Sequence, residues 1–258
     1  MRAVAVIPAR SASSRFPGKP LVPLLGRPLI AWVVDAARSA RRIQEVYVAT
    51  DTEAIARAAE AAGARAVMTR PDCPSGTDRV AEAARRIPAD VYVNLQGDEP
   101  LVDGADLDAL VAVFERDPEV AMATLSRPIT ESRDLASTDV VKVVCDRAGN
   151  ALYFSRSPVP YYRDLWDRSG PGPVPESAPW TPRRHLGVYA FTRRALLAFP
   201  QLPAGGLERA ERLEQLRALE AGWRIRVVEA RGDTVGVDRP EDVPRVEALL
   251  RSRTAGPG

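Results

Sequence analysis

Near its N terminus the chain reads VAVIPARSASSRFPGKPL, over residues 4–21. The apolar run Val4–Pro8 has the composition of a buried β-strand, and it leads directly into a loop of small and hydroxyl-bearing residues. The loop carries three cations, Arg10, Arg15 and Lys19. Small residues let backbone N–H groups approach a phosphate closely, and cationic side chains balance its charge. This stretch therefore predicts a loop that binds the phosphates of a nucleoside triphosphate.

Lysine is rare in this chain, since only Lys19 and Lys142 are lysine among 36 basic residues. A lysine in such an arginine-rich sequence indicates a position that needs the compact, mobile ammonium of lysine rather than the planar guanidinium of arginine. We expect Lys19 to contact phosphate, although an ordinary surface lysine is the alternative. A Walker loop is excluded because Ser13 and Pro20 stand where it needs Gly and Ser or Thr. No dinucleotide-binding glycine fingerprint follows the first strand.

Composition narrows the class of protein. The 258 residues carry a formal net charge of +2, from 36 basic and 34 acidic residues spread along the chain. This balance indicates neither a nucleic-acid partner nor a membrane surface, and no stretch approaches the length of a membrane span. Cys73 and Cys145 have no metal or redox spacing. We therefore expect a cytoplasmic protein in a reducing compartment, with no nucleic-acid or membrane partner.

The first half of the chain alternates short β-branched runs with longer Ala-rich helical patterns. This order is typical of an α/β fold, a Rossmann-like, mostly parallel sheet covered on both faces. The predicted strands are Val4–Pro8, Glu45–Thr50, Ala64–Met68, Val91–Gln96 and Met122–Leu125, and the predicted helices are Leu29–Ala40, Thr52–Ala62, Thr77–Arg86 and Asp103–Arg116.

The second half departs from this alternation. A β-hairpin is predicted first, and the Pro- and Gly-rich stretch Pro158–Pro182 then predicts a long loop that is either disordered or a functional lid. The remaining predicted elements are two hairpin strands at Val140–Cys145 and Ala151–Ser155, strands at His185–Phe191 and Ile225–Glu229, and helices at Thr192–Phe199, Leu207–Ala221 and Glu241–Arg251. We interpret residues 1–258 as a single domain with a nucleotide-binding half at 1–130 and an acceptor-binding half at 131–258.

Two aspartates follow apolar strands and are candidates for metal binding. Gln96 and Asp98 come after the strand at 91–96, and ligands of doubly wound sheets bind at the carboxyl ends of strands. A carboxylate that faces a triphosphate there makes sense if Mg2+ lies between them. Asp238 alone would be interpreted as a helix cap, but with Asp98 it completes a two-carboxylate clamp. The alternative for Asp98 is a turn residue before Pro100.

Further short motifs occur in order along nearly the whole chain: Ala49-Thr50-Asp51, Ser75-Gly76-Thr77-Asp78-Arg79, Asn94-Leu95-Gln96-Gly97-Asp98-Glu99-Pro100, Ala151-Leu152-Tyr153-Phe154-Ser155-Arg156, His185-Leu186-Gly187-Val188-Tyr189, Leu213-Glu214-Gln215-Leu216-Arg217 and Gly236-Val237-Asp238. Together with the N-terminal loop, they resemble the 3-deoxy-manno-octulosonate (Kdo) cytidylyltransferase family, the CMP-Kdo synthetases. The resemblance implies a nucleotide-diphospho-sugar transferase fold with a β-hairpin insertion for dimerisation, a homodimer, and Mg2+-dependent transfer of CMP from CTP to the sugar acid.

The resemblance also implies roles for individual residues. The phosphates of CTP would be bound by the N-terminal loop, its nucleoside would lie against the 75–96 region, and the acceptor would bind to residues of the second half. In full, the implied sets are Arg10, Ser13, Ser14, Arg15, Lys19, Ser75, Gly76 and Gln96 for CTP; Asp98 and Asp238 for Mg2+; Arg156, Arg184, His185, Tyr189, Glu214 and Gln215 for the acceptor; and Arg10, Lys19, Asp98 and Asp238 for catalysis.

Three alternatives stay open at this point. Arg183 and Arg184 adjoin a Pro-rich stretch that looks foreign to the family, and an added cation would suit a smaller, more highly charged acceptor such as the phosphonate phosphonoformate. Another sugar acid is also possible as the acceptor. A different class of protein, a nucleotide-sensing or scaffold protein without activity, could use the same fold. His185 is the only histidine, and a lone histidine on a strand is more often structural than ligand-binding.

Overall fold

The computed structural model describes residues 1–11, 16–164, 166, 180–232 and 234–254. Its centre is a mixed sheet in which seven strands follow the spatial order β11-β7-β10-β6-β1-β4-β5. The strands are β1 (Ala3–Ala9), β2 (Pro23–Leu24), β3 (Arg27–Pro28), β4 (Glu45–Thr50), β5 (Arg65–Met68), β6 (Val91–Asn94), β7 (Met122–Pro128), β8 (Lys142–Cys145), β9 (Ala151–Ser155), β10 (Arg183–Thr192) and β11 (Ile225–Glu229).

Helices cover both faces of this sheet. They are α1 (Leu29–Arg38), α2 (Glu53–Ala61), α3 (Gly76–Ala84), α4 (Gly104–Arg116), α5 (Ser132–Ala136), α6 (Arg193–Ala198), α7 (Gly206–Glu211), α8 (Gln215–Glu220) and α9 (Val243–Thr254), with short 3-10 turns at Lys19–Leu21, Phe199–Gln201 and Pro240–Asp242. The mostly parallel α/β architecture predicted from the alternating pattern is confirmed.

Strand β1 shows why the sheet is buried on both faces. All seven of its residues are buried, and successive side chains enter different hydrophobic clusters. Ala5 and Ile7 belong to the cluster that includes side chains of α1, α4 and α9, whereas Val4 and Val6 belong to the cluster that includes side chains of α3, α6 and α8. An unbroken apolar run is what a central parallel strand requires, because both of its faces meet helices.

Strand β10 runs antiparallel to both of its neighbours, β6 and β7. Its pairing with β7 is interrupted, since Leu186 pairs with Leu125 and Tyr189 pairs with Thr124, leaving Gly187 and Val188 in a bulge. The predicted hairpin forms as β8 and β9, and β8 extends the sheet beside the start of β10. Whether this hairpin serves dimerisation remains a prediction.

One predicted element is wrong. The charged stretch Leu207–Ala221 was expected to form one helix, but it forms α7 and α8 with a break between them. Arg212 adopts a left-handed conformation (φ 55°, ψ 46°), which ends α7 and turns the chain. Of the predicted loop at 158–182, Leu165 and residues 167–179 lie outside the described residues, so the lid hypothesis stays a prediction.

In the described part of the chain, no helix is both long enough and apolar enough to cross a lipid bilayer.

Candidate active site

A cavity of about 250 Å³ opens at the carboxyl ends of β1 and β6. We call it the first cavity, and its walls bring together the N-terminal loop, the start of α3, the loop after β6 and the 236–238 segment. Its lining residues are Pro8, Ala9, Arg10, Lys19, Pro20, Cys73, Ser75, Gly76, Arg79, Gln96, Gly97, Asp98 and Asp238.

The parallel pairing of β1 with β6 creates this meeting point. Val6 pairs with Asn94, so the loops that follow the two strands leave the sheet at the same edge. These loops approach closely at Gly97, where a Cβ atom would lie 2.8 Å from the backbone oxygen of Pro8. A larger residue at position 97 would therefore push the two loops apart.

Lys19 lies between the two predicted metal-binding aspartates. Its ammonium donates to Asp98 Oδ2, and it lies 3.8 Å from Asp238 Oδ1. The loop that carries it is closed by a hydrogen bond from the N–H of Gly18 to the carbonyl of Ser11 (3.1 Å). A second backbone bond, from the N–H of Val237 to the carbonyl of Asp98 (2.9 Å), joins the two acidic segments. Three residues distant in sequence thus form one charged cluster.

The start of α3 forms the opposite wall of the first cavity. Ser75 caps this helix, and its hydroxyl accepts a hydrogen bond from the N–H of Asp78 (3.1 Å). Gly76 lies against Gln96, because a Cβ atom there would be 3.1 Å from Gln96 Oε1. The free N–H groups and the dipole at a helix N terminus favour polar and anionic ligands. Ser75, Gly76 and Gln96 therefore share one wall of the first cavity, and their contact with the nucleoside stays a prediction.

A second cavity, of about 1030 Å³, adjoins the first. Its lining residues include Arg184, His185, Tyr189, Gln215 and Asp238. Asp238 borders both cavities, so ligands bound in the two would meet at this carboxylate. An arrangement with two substrate-sized spaces and a charged cluster at their junction is suited to joining one molecule to another.

The polar groups of the second cavity are held in defined orientations. The hydroxyl of Tyr189 donates to Gln215 Oε1 (3.1 Å), whereas the buried Gln215 Nε2 has no hydrogen-bond partner in the described part of the chain. The ring of His185 packs against Phe154, with 4.9 Å between ring centroids. Desolvation lowers the pKa of His185 to about 3, so its imidazole is neutral at physiological pH. The Gln215 amide therefore leaves a buried donor at the wall of the second cavity.

Comparison with known proteins agrees with this geometry. A family model described as cytidylyltransferase matches residues 4–225. The 3-deoxy-manno-octulosonate cytidylyltransferase of Anaeromyxobacter sp. (strain Fw109-5) is 54% identical over 260 residues, covering 100% of this chain and 99% of the relative. The enzyme of the same name from Bdellovibrio bacteriovorus is 48% identical and covers 98% of this chain and 99% of its own. This chain belongs to the 3-deoxy-manno-octulosonate cytidylyltransferase family. It is a nucleotidyltransferase.

Solved structures support the family assignment. The structure of a CMP:2-keto-3-deoxy-manno-octonic acid synthetase complexed with CTP superposes on this cytidylyltransferase with a TM-score of 0.89, at 42% identity. The match covers 98% of this chain and all of the other chain. A cytidylyltransferase from Leptospira borgpetersenii gives a TM-score of 0.62 at 16% identity, covering 98% of this chain and 87% of that protein. The more distant match shows a shared fold only.

Two predicted acceptor residues of this cytidylyltransferase do not line the second cavity. Glu214 lies beside the N terminus of α3, where it accepts a hydrogen bond from the hydroxyl of Thr77, and burial raises its pKa. The guanidinium of Arg156 donates to the carbonyls of Glu211 (2.8 Å) and Thr138 (2.9 Å). Both side chains are thus bound to protein groups, and their roles at the acceptor stay predictions. Ser13, Ser14 and Arg15 lie outside the described residues.

Sequence reasoning missed three side chains at the site. Glu99 lies beside the charged cluster, and its buried Oε2 has no hydrogen-bond partner among the described residues. Burial together with the negative charges of Asp98 and Asp238 raises the pKa of Glu99 to about 8. Arg79 and Cys73 line the first cavity, and Arg79 lies 3.5 Å from the carboxylate of Asp51. Glu99 and Arg79 occur within recognised motifs, but nothing in the sequence indicates which members of a motif turn inward.

Proposed function

We propose that the protein transfers CMP from CTP to 3-deoxy-manno-octulosonate and releases pyrophosphate. The observation that carries this proposal is Asp238, which borders both cavities and lies 3.8 Å from Lys19. CTP would occupy the first cavity, with its phosphates toward Arg10 and Lys19, and the sugar acid would occupy the second. The α-phosphorus of CTP and the attacking hydroxyl would then meet at the charged cluster.

The chemistry is a displacement at phosphorus. The anomeric oxygen of the sugar acid attacks the α-phosphorus and its hydroxyl proton passes to solvent. A new P–O bond forms, the bond from the α-phosphorus to the oxygen that bridges to the β-phosphorus breaks, and that oxygen departs with pyrophosphate. Arg10 and Lys19 stabilise the negative charge on the leaving group, and the walls of the two cavities align the reactants. Catalysis of this kind depends on positioning and electrostatics rather than on a covalent enzyme intermediate.

Mg2+ is the cofactor that fits this site. Asp98 and Asp238 supply hard oxygen ligands on either side of one cation, Lys19. Mg2+ commonly binds through one or two carboxylates plus substrate phosphates and water, and this pair of aspartates supplies the protein part of such a set. Asp98 and Asp238 would hold the ion, and when bound it would neutralise phosphate charge.

The relatives named above favour the sugar acid over the phosphonate acceptor. The decisive experiment incubates the protein with CTP and Mg2+, adding Kdo or phosphonoformate in separate reactions, and follows pyrophosphate release. We expect release with Kdo and none with phosphonoformate. Turnover with phosphonoformate alone would reverse the choice of acceptor, and CTP binding without any release would indicate a sensor.

We further propose a homodimer located in the cytoplasm. The support for a dimer is the family resemblance, which assigns dimerisation to the β8–β9 hairpin, and Leu152 on this hairpin is 62% exposed. The free thiols of Cys73 and Cys145 and the use of CTP support a reducing, nucleotide-rich compartment. Light scattering coupled to size-exclusion chromatography tests the dimer, and a mass near one chain would contradict it. Cell fractionation tests the location.

A further inference from the structure

A buried threonine on β7 makes a hydrogen bond to the only histidine of the chain. The Oγ1 atom of Thr124 lies 2.8 Å from His185 Nε2. Thr124 is fully buried, whereas the His185 ring lines the second cavity. Nothing in the sequence motifs pointed to Thr124, which pairs in the sheet with Tyr189 rather than with His185.

The bulge in β10 determines where the proton of this threonine goes. Because Gly187 and Val188 leave the ladder, the carbonyl of Val188 lies 2.8 Å from Thr124 Oγ1 and that of Leu186 lies 3.3 Å from it. A carbonyl oxygen only accepts hydrogen bonds, and a hydroxyl has one proton to donate. The hydroxyl of Thr124 therefore donates to the bulge, and toward His185 it has only lone pairs to offer.

A hydroxyl that accepts from an imidazole requires the proton on the ring nitrogen that faces it. His185 must then carry hydrogen on Nε2, and since the ring is neutral, Nδ1 is left with a lone pair. In the described part of the chain, the bond to Thr124 is the one hydrogen bond that the His185 side chain makes. Nδ1 therefore stays available to a donor bound in the second cavity.

We propose that Thr124 is a positioning residue that fixes His185 as the Nε2–H tautomer, so that Nδ1 accepts a hydrogen bond from a hydroxyl group of the acceptor substrate. This inference rests on the proposed function for the identity of the acceptor, but the tautomer itself does not. The bulge in β10 makes this arrangement possible. In a regular ladder, backbone N–H groups would bond to the carbonyls of Leu186 and Val188 that orient the Thr124 hydroxyl.

The single histidine allows a direct test by nuclear magnetic resonance of 15N-labelled protein. Protonated and unprotonated ring nitrogens have well-separated 15N shifts, and only one imidazole contributes. We expect wild-type protein to show a protonated Nε2 and an unprotonated Nδ1 at pH 7. A proton on Nδ1, or a charged ring, would overturn the proposal whatever any variant does.

Variants connect the tautomer to substrate binding. Thr124→Val keeps the shape of the side chain and removes the hydroxyl, whereas Thr124→Ser keeps the hydroxyl. We expect the valine variant to lose the single tautomer and to raise the KM for Kdo about tenfold with the KM for CTP unchanged, as for one lost hydrogen bond. The serine variant should keep the wild-type spectrum and KM. An unchanged spectrum in the valine variant would contradict the proposal.

Thr50→Val is the matched control. Thr50 is also a fully buried sheet threonine, on β4, and it does not line either cavity. Its substitution should leave the imidazole spectrum and both KM values unchanged. If the wild-type protein showed the expected tautomer but no turnover of Kdo, the proposed acceptor would be wrong while the role of Thr124 in fixing the ring would stand.

Discussion

The ammonium of Lys19 donates to the carboxylate of Asp98 and lies 3.8 Å from that of Asp238, so one compact cation balances two acidic groups. An arginine would keep the positive charge, but its planar guanidinium group cannot take the place of the compact lysine ammonium between the two carboxylates. We expect both Lys19→Arg and Lys19→Met to lower kcat by about 100-fold or more, as for loss of a group that stabilises transition-state charge. Pyrophosphate release with saturating CTP and Kdo measures this.

The control for that prediction is Arg27→Lys. Arg27 forms an exposed ion pair with Asp35 (2.8 Å), and exposed pairs contribute little to stability. This variant should keep the wild-type rate. Near-normal kcat in Lys19→Arg would show that the site needs only a positive charge.

Removal of either aspartate tests the proposed metal site. Asp98→Asn and Asp238→Asn keep the size of the side chain but remove the negative charge, so each should abolish measurable turnover and weaken Mg2+ binding in the presence of CTP. Isothermal titration with Mg2+ and the pyrophosphate assay give the two readouts, and chelation by EDTA should stop the wild-type enzyme reversibly. Asp35→Asn is the control, and it should change neither readout. An Asp98→Asn rate within a few-fold of wild type would show that the metal assignment is wrong.

Substitution of both Tyr189 and Gln215 should leave stability nearly unchanged but weaken acceptor binding. Tyr189→Phe and Gln215→Met each remove the buried 3.1 Å hydrogen bond between the two side chains. Gln215→Met also leaves the Tyr189 hydroxyl without its acceptor. When both partners are replaced by apolar groups, neither the donor nor the acceptor of this bond is left buried without its partner. The double variant should therefore be nearly as stable as wild type in urea unfolding. It should nonetheless raise the KM for Kdo, because the Gln215 amide donor is gone. An unchanged KM would place Gln215 outside the acceptor site.

Much of this site could be predicted because its residues follow strands. Arg10, Gln96 and Asp98 lie in the loops that follow β1 and β6, and the loops that follow parallel strands leave the sheet at one edge. Thr124 could not be predicted in the same way, because its role depends on a bulge in β10. A bulge changes register without a distinctive residue, and Gly187 has room for a side chain.

The break between α7 and α8 was missed for a related reason. Left-handed residues that end helices are usually glycine or asparagine, but here the residue is Arg212. The hydrophobic pattern continues across the break, so the sequence favours one helix. The turn at Arg212 brings Glu214 to the start of α3 and its hydrogen bond with Thr77.

This strained arginine gives a stability prediction. Arg212→Gly should stabilise the protein by up to about 1 kcal/mol, because glycine adopts φ 55° without the steric cost that an L side chain carries there. Arg209→Gly, at an exposed position inside α7, should instead destabilise it by about 1 kcal/mol. Urea unfolding compares the two variants. Equal losses would show that the left-handed conformation carries no cost in this chain.

His185 predicts how stability depends on pH. Its pKa is about 3 in the folded protein and near 6.5 when unfolded, so between these values the unfolded state binds more protons and acid favours unfolding. From pH 7 to pH 5 this group should lower the free energy of unfolding by up to about 2 kcal/mol. In His185→Gln, which lacks the titrating ring, the free energy of unfolding should fall by about 2 kcal/mol less than in wild type between pH 7 and pH 5. Urea unfolding of both proteins at the two pH values measures the difference, and parallel pH dependence in the two would show that the imidazole is protonated equally in the folded and unfolded states.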